Sequence, residues 1–142
     1  MNTEQAYNRR WVFWVKFFFV LSVVVFLLLV AFFVFKVHSE GRITMREAKN
    51  IRMALVTADI ELYPNGKCIF APERANGLTS GVMDTVERLA GASDGVTLLS
   101  YDKKNREILL FTYRTDKYLV TYSYVNGEEH WMVDYLWKIF EY

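Results

Sequence analysis

Cysteine is almost missing from this chain of 142 residues, which holds one, Cys68. A lone thiol closes no internal disulfide and builds no thiolate metal cluster. Beside Ile69 and Phe70 it reads as a small, partly buried hydrophobe, with an intermolecular disulfide or a reactive thiol as the less common uses. Proline is nearly as scarce: both prolines fall in one segment, "PNGKCIFAPERANG", from Pro64 to Gly77, so strong loop punctuation is confined there. Histidine occurs twice. His130 shares a strand face with Asp134, but no serine in a nucleophile-elbow context accompanies them, and one His with Asp134 and Glu128 is an incomplete metal shell. The glycines stand at turns and helix ends, and none forms a phosphate-binding loop. No catalytic, cofactor-binding or metal-ligating residue is therefore assigned, no cofactor is expected, and the chain does not read as an enzyme.

An excess of charge of one sign is also lacking. The formal net charge is +1, and from Arg42 onward 13 Lys and Arg stand against 14 Asp and Glu, well interspersed. That balance leaves no basic footprint for nucleic acid and no acidic tail. The aromatic residues late in the sequence thus read as core rings, since stacking platforms for single strands come with a basic groove.

The dominant feature is "FFFVLSVVVFLLLVAFFVF", Phe17 to Phe35, which contains no ionisable group. Nineteen helical residues reach about 28 Å, close to the hydrocarbon thickness of a bilayer and longer than the apolar stretch of a signal peptide. Trp11 and Trp14 suit one interface, Lys16 can reach back to the headgroups, and Lys36 marks the other boundary. The small residue ending "VHS", Val37 to Ser39, also suits a signal-peptidase site; the length of the run favours a retained anchor. Eight of the eleven Phe lie between Phe13 and Phe35, so the apolar excess belongs mostly to this segment. The expected organisation is a short basic tail over residues 1–10, a transmembrane helix over 11–37 and one small globular domain over 38–142. Lys36, Arg42, Arg46 and Lys49 against Arg9 and Arg10 favour a cytoplasmic domain by the positive-inside rule, whereas a short basic start before a long apolar run suits a signal-anchor that exports its domain. The expectation is a single-pass protein with an extracytoplasmic domain. Arg42, Arg46 and Lys49 lie on one helix flank, suited to solvent and to anionic headgroups.

After the anchor, Thr44 and Glu47 have capping-box spacing and predict a helix start, and Tyr63-Pro64-Asn65-Gly66 predicts its end. Between them Ala48, Ile51, Leu55, Ala58 and Leu62 form one apolar stripe, and Met53, Val56 and Ile60 a second on nearly the opposite side. Such a helix wants two partners. The second stripe is either covered by a loop or second helix of the same domain, or faces a neighbouring protein. A shorter helix is predicted from about Ser80 to Ala90, ended by Gly91. The remaining third reads as four antiparallel strands. A two-residue turn at Asn126-Gly127 sets Tyr122 against Trp131, Val120 against Val133 and Tyr118 against Tyr135. A turn at Thr115-Asp116 sets Leu109 against Tyr122, Phe111 against Val120 and Tyr113 against Tyr118. Both hairpins gather one aromatic and aliphatic set on a single face, to be covered by the first helix, while Thr112, Thr121, Ser123, His130 and Asp134 take the wetter face. The fold class is α+β: a transmembrane helix, an amphipathic helix, a short second helix and a four-stranded meander packed on the first helix.

In that order, apolar Phe17 to Phe35, amphipathic "AKNIRMALVTADIELYPNG" and strands from Val96 to Tyr142, the chain resembles type IV pilins and the pseudopilins of secretion and DNA-uptake machines. The likeness covers nearly the whole chain and is architectural: Lys16 stands where the family's leader glycine would be, and Leu21 where its helix glutamate would be. The resemblance implies a structural or accessory subunit of an envelope assembly, a pilus, secretion or DNA-uptake machine, that works by protein–protein packing against sister subunits or a membrane complex. A membrane-tethered binding module for a peptide, ligand or membrane protein is the alternative. Expected partners are the lipid bilayer and a protein, not nucleic acid.

Overall fold

The computed structural model describes residues 3–92 and 94–136, with side chains from Trp11 onward. The chain is α+β. Helix α1 (Thr3–Leu62) is followed by a 3₁₀ turn (Tyr63–Asn65), helix α2 (Val82–Ala90) and strands β1 (Val96–Asp102), β2 (Glu107–Arg114), β3 (Tyr118–Val125) and β4 (Glu128–Tyr135) in one antiparallel sheet of order β1-β2-β3-β4. Two compact units divide it, Met1–Ser39 and Glu40–Tyr142, and α1 contributes to both. For the basic tail expected over 1–10, the backbone from Thr3 is the start of α1, and its side chains lie outside the described residues. So does the part of the expected meander beyond Leu136.

In the first unit every large apolar side chain from Trp11 to Phe35 is exposed. The stretch is long and apolar enough to cross a membrane by length and composition.

In the second unit α1 does not begin at Thr44. The expected capping box is replaced by continuous helix, and the Thr44 hydroxyl donates back to the Glu40 carbonyl at 3.1 Å. A threonine inside a helix satisfies its hydroxyl this way when no break precedes it. The helix ends as its sequence predicts: Pro64 opens the 3₁₀ turn and Gly66, at φ 67°, takes the left-handed position that closes it. Ala48, Ile51, Ala54, Leu55 and Ala58 are buried, so the first stripe faces the core. Helix α2 starts two residues later than expected and ends at Gly91; it adds Val82 and Val86 to a core completed by Ile69, Leu78, Leu98, Phe111 and Tyr122.

The β3–β4 hairpin has the expected register, with Tyr122 opposite Trp131, Val120 opposite Val133 and Tyr118 opposite Tyr135. Asn126 and Gly127 both take positive φ, 55° and 86°, the two-residue turn whose twist suits a hairpin. The β2–β3 register differs by two residues: Phe111 faces Tyr122 and Tyr113 faces Val120. The turn falls one residue later because Thr115 closes it. Its N–H donates to the Tyr118 carbonyl at 2.8 Å, and its hydroxyl accepts the Tyr118 N–H at 3.1 Å. A shift of two keeps every side chain on its face, so the aromatic set stays together. Leu109 departs from the expectation. Irregularities between Leu98 and Tyr101 on β1 offset the pairing with β2, so Ile108 takes the buried position and Leu109 is half-buried. Such bulges reverse which residues face inward.

Candidate functional site

Apolar side chains that a folded domain leaves uncovered are the first candidates for contact with another molecule. On α1, Met53, Val56 and Ile60 are 62 %, 37 % and 66 % exposed. Among the described residues no loop or second helix covers this stripe. One turn on, Tyr63 is exposed too. Between this stripe and the sheet runs a shallow groove of ≈ 250 Å³, walled by Val56, Ile60 and Tyr63 on one side and Tyr101, Arg106 and Ile108 on the other.

The floor of that groove is Asp59. Being four residues after Leu55, it projects toward the core side of α1 and is 6 % exposed. A carboxylate there survives only if its lone pairs are filled, and they are. Arg106 approaches with Nε 2.9 Å from Oδ2 and Nη2 2.8 Å from Oδ1, in the forked geometry that suits guanidinium and carboxylate. The Tyr101 hydroxyl donates to Oδ1 at 2.9 Å and the Ile69 N–H at 3.3 Å. Arg106 also donates to the backbone carbonyls of Asp59 and Lys67, and its guanidinium lies 4.8 Å from the Tyr63 ring centre. The reach of Arg106 comes from its turn, where it adopts φ 55° while Asp102 accepts the N–H groups of Lys104 and Asn105 at 2.8 and 3.2 Å. Those backbone donors hold the Asp102 carboxyl below the ordinary aspartate range. Burial, then the neighbouring Asp59, push the Tyr101 phenol well above the tyrosine range, so it stays protonated as a donor. This cluster ties the end of α1, the segment after it and the β1–β2 turn into one piece, and it fixes the backbone beneath the exposed stripe. Periodicity alone missed it. The available signal was an aspartate set against the buried stripe of an apolar helix.

A second polar seam runs along the other flank of α1. Arg52 pairs with Glu129 at 2.7 Å and lies 5.0 Å from the Tyr122 ring centre. The Lys49 ammonium stands 5.7 Å from the Trp131 ring centre. The seam fastens the start of β4 to the helix.

Of the residues expected to form the anchor, Trp11, Trp14, Phe17 and Phe35 are exposed, as are Lys16 and Lys36, and Trp14 stacks edge-on with Phe17 at 5.9 Å. Arg42, Arg46 and Lys49 are exposed on α1. His130 and Asp134 lie on the outer face of β4, both exposed, and no cluster of three His, Cys, Asp or Glu suited to a metal exists among the described residues. Cys68 is half-buried, its Sγ 3.5 Å from the Phe70 carbonyl oxygen. No protein-family model, no curated protein and no solved structure matches this chain.

Proposed function

We propose that this protein is a single-pass, membrane-anchored structural or accessory subunit of a pilin-like envelope assembly, with its globular domain outside the cytoplasm. It acts by packing against sister subunits through the Met53, Val56 and Ile60 stripe. The observation that carries this reading is that one helix bears both an uncovered bilayer-length apolar stretch and, within the domain, an uncovered apolar stripe on the side away from its core. An isolated domain gains nothing from three apolar side chains held in water on a helix whose opposite side is fully packed. The clamp at Asp59 adds to this by holding the stripe on a rigid support, which lowers the ordering cost of a protein contact.

Cross-linking in intact cells tests it. In a Cys68→Ser background, Val56→Cys and Ile60→Cys should give self-adducts with a membrane-impermeant bis-maleimide. Glu87→Cys, exposed on α2, should give few. Adducts of Val56→Cys to a different membrane protein would favour the tethered binding module. Absence of adducts from a reagent shown to label the thiol would remove the packing role, and labelling only after lysis would remove the extracytoplasmic placement.

A further inference from the structure

The two edges of the sheet are treated differently. At the β1 edge the chain before α2 lies against the strand: the Leu98 N–H donates to the Asn76 carbonyl at 2.9 Å, and Gly77 packs so close that any side chain there would overlap the Leu98 carbonyl oxygen. Among the described residues the β4 edge has no such cover. The Leu136 N–H donates to the Lys117 carbonyl at 2.7 Å. With the unbroken β3–β4 register, that bond makes Leu119–Asp134, Thr121–Met132 and Ser123–His130 the pairs that exchange ladder bonds. The N–H and C=O groups of Glu129, Trp131 and Val133 therefore point away from the sheet, and no backbone or side chain bonds them among the described residues. The strand has no proline or bulge, and the charge that guards its edge is entirely acidic. It carries three carboxylates, Glu128, Glu129 and Asp134, and no Lys or Arg. Glu129 is taken by Arg52, whereas Glu128 and Asp134 stand exposed at the two ends of the outer face with no ion-pair partner among the described residues.

We infer that β4 accepts an extended segment of a partner protein as a fifth strand, and that this segment carries Lys or Arg opposite Glu128 and Asp134 and apolar side chains on its alternate positions. Main-chain bonds to Glu129, Trp131 and Val133 supply the binding. The two exposed carboxylates select basic residues on the outer face, since opposite charges directly across a ladder attract and like charges repel. On the inner face, alternate apolar side chains extend the half-buried row of Trp131 and Val133. This surface is separate from the α1 stripe and stands whether or not that stripe packs on sister subunits.

The test uses the full chain in uncharged detergent micelles and a fluorescent nine-residue peptide of alternating lysine and valine, followed by anisotropy. Saturable binding is expected, with the glutamate–valine peptide at least tenfold weaker. Val133→Pro fills the outward edge without removing a β3–β4 ladder bond and should weaken binding at least tenfold. E128K/D134K alters only exposed side chains and should reverse the preference between the two peptides. N-methylation of the lysine–valine peptide along one edge should also cost at least tenfold. Equal binding of the N-methylated peptide, or of Val133→Pro shown to be folded by circular dichroism, would overturn strand addition in favour of plain charge attraction. A peptide-free dimer dissolved by Val133→Pro would overturn the choice of partner, because a second copy would then own the edge.

Discussion

At the scale of single residues, Asp59 carries the most. It is a buried carboxylate whose removal leaves the Arg106 Nε, the Tyr101 hydroxyl and the Ile69 N–H facing a void without an acceptor. Breaking one side of such a pair is costly because the partner stays desolvated, so Asp59→Ala should destabilise the detergent-solubilised protein by about 3 kcal/mol in urea unfolding. Tyr101→Phe removes one hydrogen bond to a charged acceptor and should cost about 2 kcal/mol near neutral pH. It should also change the response to base. The Tyr101 phenol stays protonated beyond the ordinary tyrosine value of about 10, so above that pH the unfolded chain loses a proton that the folded chain keeps. Stability from this group is complete below about pH 10 and declines as pH rises beyond it. Urea midpoints at pH 8 and pH 11 should show a smaller loss for Tyr101→Phe than for the parent. Some loss persists, because burial raises Tyr113, Tyr118 and Tyr122 in the same direction. The sequence hides this cluster for a physical reason. Asp59 lies next to Ala58 in the chain, but its partners Tyr101 and Arg106 follow more than forty residues later, and no local period connects them.

Elements were legible where local chemistry decided them. The Asn126-Gly127 turn admits one tight hairpin, and the strands on either side follow from it. The turn between β2 and β3 lacks so definite a pair, and the Thr115 side chain moved it by one residue. The exchange of Leu109 for Ile108 in the core depends on bulges shared by two strands, which neither strand announces alone. Thr44 and Glu47 carry the spacing of a helix start without being one, since nothing from Lys36 to Ile43 stops the helix that precedes them. Gly41 sits within that continuous helix, and an added Cβ would lie 3.6 Å from the Tyr118 ring and 3.8 Å from Val133, ordinary contact distances. Gly41→Ala should therefore stabilise by up to about 1 kcal/mol, read as a higher urea midpoint. Gly77 gives the opposite result. Its φ of 67° is shared with Gly66, but at Gly66 the space beyond is open, whereas at Gly77 backbone of Leu98 fills it. Gly77→Ala should cost clearly more than the roughly 1 kcal/mol expected of Gly66→Ala, and the difference measures how tightly the loop closes the β1 edge.

For the whole molecule, composition announced the helical stretch long and apolar enough to cross a membrane, and periodicity announced two apolar sides on α1. Whether the second side would be covered could not be read from α1 alone, because cover depends on where the loop and α2 come to rest. They pack on the side of α1 that holds Ile51 and Leu55, which leaves Met53, Val56 and Ile60 open. The proposed packing role rests on that arrangement. Met53→Glu with Ile60→Glu alters two exposed side chains and no buried one, so the domain should keep its unfolding free energy within about 0.5 kcal/mol, read as a nearly unchanged urea midpoint. The decisive measurement is the mass of the complex extracted from native membranes in mild detergent, by light scattering, for the parent and this double variant. The account predicts a multi-subunit parent and a variant reduced to single chains with an unchanged midpoint; a parent already monomeric, or a variant of parental mass, would contradict it.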